Sequence, residues 1–309
     1  MLALIRAFTR TVWRLLAAGI PLTDAERQAL ARRLLPIMQR NRRREYAAAV
    51  ERIAEQLPGI KAAPLRPYTA GAIESVLAAV GGPDAPPVKV PAAEIDPASR
   101  RASRVRVEIR EETRTDRAVA RVVADRAGAR LARHARQAGR DAVIDTAASA
   151  GDEIGWARVL TGAENCAFCA MLASRGPVYR SDKSASSVVG RRGRTRGTRE
   201  LGEEFHDHCD CEVVLVRRGQ DWPGRAQYEQ LERLWIAADT LAADEPTRRL
   251  FRRAYARHDE LAGQLEEIWN EATAGKRSAA GRRRAFAAAV KQNPPAALVA
   301  AQRPRRADD

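Results

Sequence analysis

The chain of 309 residues lacks long apolar runs, and even the short run at residues 15–20 is interrupted by a glycine. A membrane-spanning helix needs about 20 predominantly apolar residues, so we expect no such helix and no contact with a membrane. The N-terminus also lacks the pattern of a secretory signal, because Arg6, Arg10 and Arg14 recur every four residues and form the polar stripe of an amphipathic helix. We therefore expect a protein that is made in the cytoplasm and not exported by a cleaved signal.

Aromatic residues are scarce, with five each of Trp, Tyr and Phe, or 5% of the chain. The core must therefore be built mainly from Ala, Leu, Val and Ile, a composition that favours helices. A hydrophobic share of 45% excludes a wholly disordered chain. At roughly 150 residues per domain, the length predicts about two domains.

The charge balance is strongly positive, with 54 Lys and Arg against 39 Asp and Glu and a net charge of +15. Such a chain attracts polyanions, and its affinity for them falls as the salt concentration rises. Many basic proteins are only solvated by their charges, but we favour nucleic acid or another acidic assembly as a partner. The sequence has no helix-turn-helix signature, classical zinc finger or aromatic RNA-binding motif, so reading of specific bases is not expected.

Two segments concentrate the positive charge. Residues 180–199 hold seven Lys or Arg against one Asp, and the last 37 residues hold nine against two. The first segment is also rich in Ser and Gly, which predicts a mobile basic loop over residues 180–204, and residues 302–309 are predicted to form a basic tail. The arginines that we expect to contact nucleic acid are Arg191, Arg192, Arg194, Arg196, Arg199, Arg282, Arg283 and Arg284.

Hydrophobic residues at helical spacing predict an N-terminal helical region over residues 1–80. Thr23 and Glu26 form a capping box that begins a helix extending to about residue 57. Pro36 lies inside this stretch and predicts a kink or two consecutive helices. A further short helix fits residues 69–80.

Residues 81–97 contain two glycines and five prolines, which predicts an extended linker. Residues 98–149 follow with a charged, amphipathic pattern that predicts a long helical segment. Because roughly 50 residues is long for one helix, we expect breaks near Gly128 and Gly139.

Residues 150–219 differ in character and predict a small α+β module. Residues 156–160, 177–179 and 212–217 have the composition of short strands. Helical periodicity resumes after Trp222 and predicts a C-terminal helical region over residues 220–301. The expected fold class is mostly α, with helical N- and C-terminal regions that flank the α+β module and its cysteine and histidine cluster.

All four cysteines of the chain fall within this module, together with two of its four histidines. A Cys-x2-Cys pair is followed, after 39 intervening residues, by a Cys-x-Cys pair that the two histidines precede. Soft thiolates and imidazoles paired at short spacing are the ligands of a tetrahedral Zn²⁺ site. The candidate ligands are Cys166, Cys169, His206, His208, Cys209 and Cys211.

Four ligands suffice for one zinc ion, so the six candidates leave two spare. The set that we favour is Cys166, Cys169 and His206 with either Cys209 or Cys211. Two alternatives stay open, namely a pair of disulfides or reduced thiols packed in a core. A chain without a signal peptide usually keeps its thiols reduced inside the cell, which favours metal over disulfides.

Catalytic zinc sites have sequence patterns that this chain lacks. Cytidine-type deaminases carry His-x-Glu followed by Pro-Cys-x2-Cys, and metalloproteases carry His-Glu-x2-His on a helix. A nucleophilic pair of Cys169 or Cys209 with His206 is conceivable, but four clustered cysteines favour a metal or a crosslink over one activated thiol. We therefore expect no catalytic residue and no enzymatic activity.

The cysteine cluster and its flanks also carry a family resemblance. Residues 155–159, 161–162 and 165–179, with the closing segment 205–211, resemble the core of the phage Mu F-like minor head proteins. The resemblance covers about residues 131–217 and is closest to the branch found in tailed phages of actinobacteria. The basic segment after Tyr179 is longer and richer in arginine than the pattern of that family.

The resemblance implies a minor head protein of a tailed phage or prophage, made in the host cytoplasm and located in the interior of the virion head. It implies a non-catalytic role in head morphogenesis, with the portal protein, a major capsid or scaffold protein and packaged double-stranded DNA as partners. A zinc-containing nucleic-acid-binding protein or nuclease outside the virion is the alternative. Some members of this branch are called capsid maturation proteases, but the sequence offers no Ser-His-Asp group with supporting context.

Overall fold

The structure is a computed structural model, and it describes residues 2–15, 22–91, 104–109, 117–162, 165–179, 187–189, 195–198, 207, 210–242 and 245–302. The chain divides into two compact units. The N-terminal unit consists of Met1–Ser149 and Ser186–Cys209, and the C-terminal unit consists of Ala150–Ala185 and Asp210–Asp309. The predicted module over residues 150–219 is therefore not a separate unit, because its first and last strands share a unit with the C-terminal helices.

The described part of the chain contains both helices and strands. In chain order they are α1 (Leu2–Leu15), α2 (Asp24–Gln56), α3 (Ala70–Gly81), β1 (Val88–Pro91), β2 (Arg104–Val107), α4 (Arg117–Ser149), β3 (Ile154–Val159), α5 (Ala167–Ala173), β4 (Val178–Tyr179), β5 (Ser187–Val189), β6 (Thr195–Thr198), β7 (Glu212–Arg217), α6 (Arg225–Leu241), α7 (Thr247–Tyr255), α8 (His258–Thr273), α9 (Ala279–Gln292) and α10 (Ala296–Ala301). The mostly α fold class with a small β component is confirmed. Within the described ranges, no helix is both long enough and apolar enough to cross a membrane.

Helix α4 is the centre of the N-terminal unit, and α1, α2 and α3 pack against it. Alanine is the commonest residue of its buried face, and such small side chains let neighbouring helices approach closely. Larger side chains from the neighbouring helices and from α4 fill the rest of the core. Buried members of this core include Phe8, Leu34, Met38, Ile73, Leu77, Val119, Val123 and Leu131.

Gly128 and Gly139 lie inside α4, which continues unbroken from its first residue to its last. The expectation of helix breaks at these glycines is therefore wrong. A Cβ atom on Gly128 would lie 2.3 Å from the Oγ1 atom of Thr9 and 2.8 Å from its backbone N. A Cβ atom on Gly139 would lie 2.8 Å from the backbone oxygen of Glu45. The two glycines mark the places where the backbones of α1 and α2 approach α4.

Helix α1 has the amphipathic character that its arginine stripe predicts. Ile5, Phe8 and Val12 are buried in the core that includes α4, and the three arginines of the stripe are exposed. Burial of the apolar face within the N-terminal unit therefore explains the pattern without a second protein.

Residues 88–91 and 104–107 pair as antiparallel strands β1 and β2, with Val88 opposite Val107 and Val90 opposite Val105. Val88 and Val90 are fully buried in the core of the N-terminal unit. The linker prediction for residues 81–97 is therefore wrong for its strand residues. The helix prediction for residues 98–149 is also wrong at its start, because residues 104–107 are a strand and α4 begins at Arg117.

Helix α2 begins as its capping box predicts. The Oγ1 atom of Thr23 accepts a hydrogen bond from the backbone N of Glu26 at 3.3 Å, and the backbone N of Thr23 donates to the Glu26 carboxylate at 2.8 Å. A single helix then passes through Pro36 to Gln56, so the alternative of two consecutive helices is wrong. The predicted helix over residues 69–80 is confirmed as α3.

The C-terminal unit contains a three-stranded antiparallel sheet in the order β4-β3-β7. Strand β3 pairs with β7 over six residues, from Ile154 opposite Arg217 to Val159 opposite Glu212. The three predicted strands of the module are thus confirmed, with bounds that differ by one or two residues. Side chains on both faces of the sheet are buried, including Trp156 on one face and Ala157 on the other.

Helices α6 to α10 form the rest of the C-terminal unit, as the periodicity over residues 220–301 predicts. Aromatic rings connect these helices: Trp235 and Phe251 lie 5.5 Å apart between ring centroids, and Trp269 and Phe286 lie 5.3 Å apart. Leucines fill the spaces between the rings. The buried ones are Leu231, Leu234, Leu250, Leu261, Leu265 and Leu298.

Candidate functional site

The Cys-x2-Cys pair lies at the start of α5. Cys166 is the N-cap residue of this helix, and its Sγ atom accepts a hydrogen bond from the backbone N of Cys169 at 3.4 Å. Cys166 is exposed, whereas Cys169 is buried. One helical turn therefore presents two sulfur atoms, one of them accessible from solvent.

The sheet brings Cys211, the described member of the second cysteine pair, to the edge that the residues after β3 also occupy. Val159 ends β3 opposite Glu212, which begins β7, so the residues after β3 and before β7 lie at the same edge. The hydroxyl of Thr161 donates to the backbone oxygen of Asp210, and a Cβ atom on Gly162 would lie 2.8 Å from the Cβ of Asp210. Cys211, which follows Asp210 directly, is buried. Residues that are distant in sequence are therefore neighbours at this edge, as the metal hypothesis requires.

Tyr255, the last residue of α7, joins this cluster, although its sequence position gives no indication of it. Burial raises the pKa of the Tyr255 phenol, and negative charge on the sulfur atoms of Cys166, Cys211 and Cys169 raises it further. All three described cysteines therefore lie close enough to influence one phenol. The ring of His258 lies 5.7 Å from that of Tyr255, between centroids.

The thiol-rich donor set fits zinc chemistry, because thiolate sulfur is a preferred zinc ligand. Three of the six candidate ligands, His206, His208 and Cys209, lie outside the described residues. Among the residues that the structure does describe, no group of three or more His, Cys, Asp or Glu is arranged to hold a metal ion. Zinc binding therefore stays a prediction, and so do the disulfide and core-thiol alternatives.

Asp207, between the two candidate histidines, is attached to helix α4. Its carboxylate lies 3.0 Å from the Nε atom of Arg133 and 3.5 Å from that of Arg130. The three side chains are only partly exposed, so this double ion pair is stronger than an isolated surface pair. It fixes the middle of the His-x-His motif within the N-terminal unit.

The three arginines of α9 that are predicted to contact nucleic acid differ in their ion pairing. Arg282 and Arg284 are exposed on α9, whereas Arg283 pairs with Glu232 of α6, with its Nε atom 3.1 Å from the carboxylate. Burial lowers the pKa of Arg283, but Glu232 and Tyr228 outweigh this and raise it. The charge of Arg283 is thus largely balanced inside the unit, unlike that of its two neighbours.

The other predicted contacts lie in the basic segment after Tyr179. Arg196 is on β6, which pairs with β5, so this part is a strand pair and not the mobile loop that the composition predicts. The remaining predicted arginines of this segment lie outside the described residues, as do residues 303–309 of the predicted tail. These outlying arginines are Arg191, Arg192, Arg194 and Arg199.

A second polar cluster lies between α2 and α4 in the N-terminal unit. Arg42 is only 4% exposed, and its two terminal nitrogens donate to the backbone oxygens of His134 at 2.8 Å and Arg66 at 3.3 Å. Its guanidinium lies 4.6 Å from the ring centroid of Tyr68, a favourable cation–π contact. Burial lowers the pKa of Arg42, and the carboxylate of Asp141 acts in the opposite direction.

Tyr68 and His134 share a hydrogen bond of 2.8 Å between the phenol oxygen and Nδ1. Burial, with the nearby charges of Arg133 and Arg42, lowers the pKa of His134 to about 4. Burial also raises the pKa of Tyr68 to about 12. The imidazole is neutral and the phenol protonated at pH 7, and the tautomer of His134 sets which of the two groups donates this bond.

The segment between α2 and α3 is tied to α4 by further polar contacts. Arg66 binds Asp145 through two nitrogens, at 2.8 and 2.6 Å, and its third nitrogen lies 3.5 Å from Asp141. The backbone N of Ala63 donates to the Oγ1 atom of Thr146 at 2.9 Å. Periodicity could not reveal this cluster, because its members are single polar residues in three separate segments.

Comparison with known proteins identifies the family of this chain. A family model described as VG15 protein matches residues 21–238, which is more than half of the chain. The chain belongs to the VG15 protein family. The VG15 match includes both the cysteine motif and the polar cluster around Arg42, whereas Tyr255 and Arg282–Arg284 lie beyond it.

Two relatives of this VG15 protein come from mycobacteriophages. It is 44% identical to the Gene 15 protein of Mycobacterium phage D29 over 98 residues, which cover 27% of this chain and 36% of the relative. It is 38% identical to the Gene 15 protein of Mycobacterium phage L5 over 112 residues, which cover 29% and 38%. The chain thus spans a little over a third of the length of these relatives. No solved structure matches it.

Proposed function

We propose that this VG15 protein is a minor head protein of a tailed phage or prophage, incorporated into the interior of the virion head during morphogenesis. The observation that carries the proposal is the folding of residues 155–179 and residues 210–217 into one sheet and its adjoining turn. Residues 155–159, 161–162 and 165–179 resemble F-like minor head proteins, and Asp210 and Cys211 end the closing segment 205–211 of that resemblance. The mycobacteriophage relatives support a phage origin.

The proposed role is non-catalytic. Helical surfaces of the chain dock onto the portal protein and onto a capsid or scaffold protein, and exposed arginines such as Arg282 and Arg284 neutralise phosphates of packaged DNA. Each neutralised phosphate releases counterions, so this contact weakens as salt rises and needs no particular base sequence. The net charge of +15 supports a polyanionic partner.

The proposal includes a structural zinc ion bound by Cys166, Cys169, a third cysteine and a histidine. The third cysteine is Cys211 or Cys209, and the histidine is His206. Such an ion joins the turn of α5 to the start of β7 and contributes folding energy rather than chemistry.

We expect the purified full chain to contain about one zinc ion, because one tetrahedral site uses four of the six candidates. Cys169→Ser removes a ligand and is expected to reduce the zinc content to below roughly 0.2 per chain. Of Cys209→Ser and Cys211→Ser, only the change that removes the third ligand is expected to do the same. Elemental analysis by mass spectrometry measures this directly. Ser174→Ala is the matched control, because Ser174 is the buried C-cap residue of the same helix and its hydroxyl donates to the backbone oxygen of Met171.

A different pair of results would contradict the zinc proposal. If the wild-type chain binds no zinc and its thiols react only after reduction, the cysteines form disulfides. If it binds no zinc and its thiols react in denaturant without reduction, they are simply packed in the core.

The virion role is tested on purified, protease-treated particles of the phage that encodes the chain. We expect peptides from the chain to survive treatment at a few copies per head, because a capsid interior excludes protease. The same digestion of particles opened by heat is the control, and it should remove these peptides. Absence from particles, together with abundance in infected cells, would contradict the proposal and support the zinc-containing nucleic-acid-binding protein or nuclease.

A further inference from the structure

A concave pocket of about 170 Å³ lies where the segment before α3 crosses α2. Three arginines line it, Arg42 and Arg43 from α2 and Arg66 from the crossing segment. Its volume is below the roughly 300–1,000 Å³ of typical small-molecule sites, so one protruding side chain fits better than a cofactor.

Arg42 makes the pocket a preorganised cation site. Two of its donors are bonded to backbone oxygens and its ring contact with Tyr68 fixes the guanidinium, so binding costs little further side-chain entropy. In the described part of the chain, no carboxylate lies within ion-pair distance of Arg42 or Arg43. Asp145 and Asp141 pair with Arg66, and Asp141 also acts on Arg42, so the least compensated positive charge at the pocket is that of Arg43.

The remaining wall of the pocket is apolar. Leu65, Pro67 and the Tyr68 ring supply it, with the amide of Gln39 at its edge. A fitting ligand therefore has an apolar stem that contacts this wall and an oxyanion at its end that meets the arginines. A glutamate side chain or the carboxylate of a C-terminal residue has this form, whereas the backbone of a DNA duplex is too broad to enter.

We propose that this pocket is a docking site for an acidic peptide segment of a partner protein, with one carboxylate inserted between Arg42 and Arg43. The proposal adds the chemistry of a protein partner to the proposed head role, but the pocket and its charge do not depend on that role. Arginine forks bind carboxylates with defined geometry, which gives the contact specificity beyond general charge attraction.

The test compares two neighbouring exposed arginines of α2, since Arg43 lines the pocket and Arg44 does not. The probe is a fluorescein-labelled peptide with one Leu-Glu-Glu-Leu segment between Gly-Ser arms, and its counterpart has Gln in place of both Glu residues. Fluorescence anisotropy measures binding to the full chain at about 0.15 M salt, where nonspecific surface attraction is screened beyond about 8 Å. Circular dichroism confirms that both variants remain folded.

We expect Arg43→Gln to weaken binding of the Glu peptide at least about fivefold and Arg44→Gln to weaken it less than about twofold, because only the first removes a donor from the pocket. The Gln peptide should bind poorly to all three proteins. Equal losses for the two variants would overturn the proposal, since they would indicate general charge attraction. So would equal binding of the Glu and Gln peptides, or no binding of either.

A second binding experiment with duplex DNA distinguishes this proposal from the DNA contact in the proposed function. A labelled duplex of about 20 base pairs should lose similar affinity with Arg43→Gln and Arg44→Gln, because phosphate contacts respond to charge in general. If only Arg43→Gln weakens duplex binding while the peptide fails to bind, the pocket is a phosphate site. That outcome would overturn the acidic-peptide proposal and leave the head role standing.

Discussion

Gly128→Ala is expected to destabilise the N-terminal unit by about 2 kcal/mol, although alanine is normally the better helix residue by about 1 kcal/mol. The added Cβ atom would lie 2.3 Å from the Oγ1 of Thr9 and 2.8 Å from its backbone N. A side chain can rotate away, but the backbone N moves only if α1 moves as a body. The new methyl group therefore forces α1 away from α4 and weakens the packing of Phe8 and Val12.

Urea unfolding followed by circular dichroism measures the loss, and hydrogen exchange of the α1 amides locates it. Gly263→Ala is the matched control, because Gly263 lies within α8 and nothing is within 4 Å of its added Cβ. That change is expected to stabilise its helix by about 0.5–1 kcal/mol. Thr9→Ala combined with Gly128→Ala should recover only part of the loss. A stabilised Gly128→Ala variant with unchanged α1 protection would contradict the close approach.

Arg42→Met is expected to destabilise the N-terminal unit by about 2–4 kcal/mol, because it removes a buried donor from several partners at once. The change leaves the backbone oxygens of His134 and Arg66 without this donor and removes the cation from the Tyr68 ring. Methionine fills much of the volume, so the loss reports the polar contacts rather than a cavity.

The measurement is again urea unfolding, with Arg44→Met as the matched control. Arg44 is exposed on the same helix, and its replacement should change stability by less than about 0.5 kcal/mol. Equal effects of the two variants would contradict the proposed structural role of Arg42.

Sequence patterns predicted those helices and strands whose formation depends on residues close together in the chain. The capping box at Thr23 and the period of 3.6 residues predicted α2 and α3, and the run of valines predicted β7. The prediction of helix breaks at the glycines of α4 was wrong for a different reason. The sequence shows that glycine destabilises the helix that contains it, but it does not show which other helix packs against the glycine. Val88 and Val90 follow the period of two that is typical of a strand, but the prolines around them favoured a linker.

The candidate site was predictable only in part, because some of its residues are far apart in the sequence and meet only in the folded chain. Short spacing identified Cys166 with Cys169 as one pair, and the strand prediction for β7 placed Cys211 beside a sheet. Tyr255 could not be found in this way, because its contact depends on how α7 packs near α5. The Arg42 cluster depends in the same way on three elements that meet only in the folded unit.

The pairing of β3 with β7 also determines which segment of this chain can change in length without disturbing the sheet. Six residue pairs hold the two strands together, and the basic segment lies in the long excursion between them. The entropy of closing such a loop grows slowly, by about 0.6 kcal/mol for each doubling of its length. Natural insertions and deletions should therefore accumulate after Tyr179, where a change in length leaves the pairing of β3 with β7 intact. The same position suits the insertion of an epitope tag.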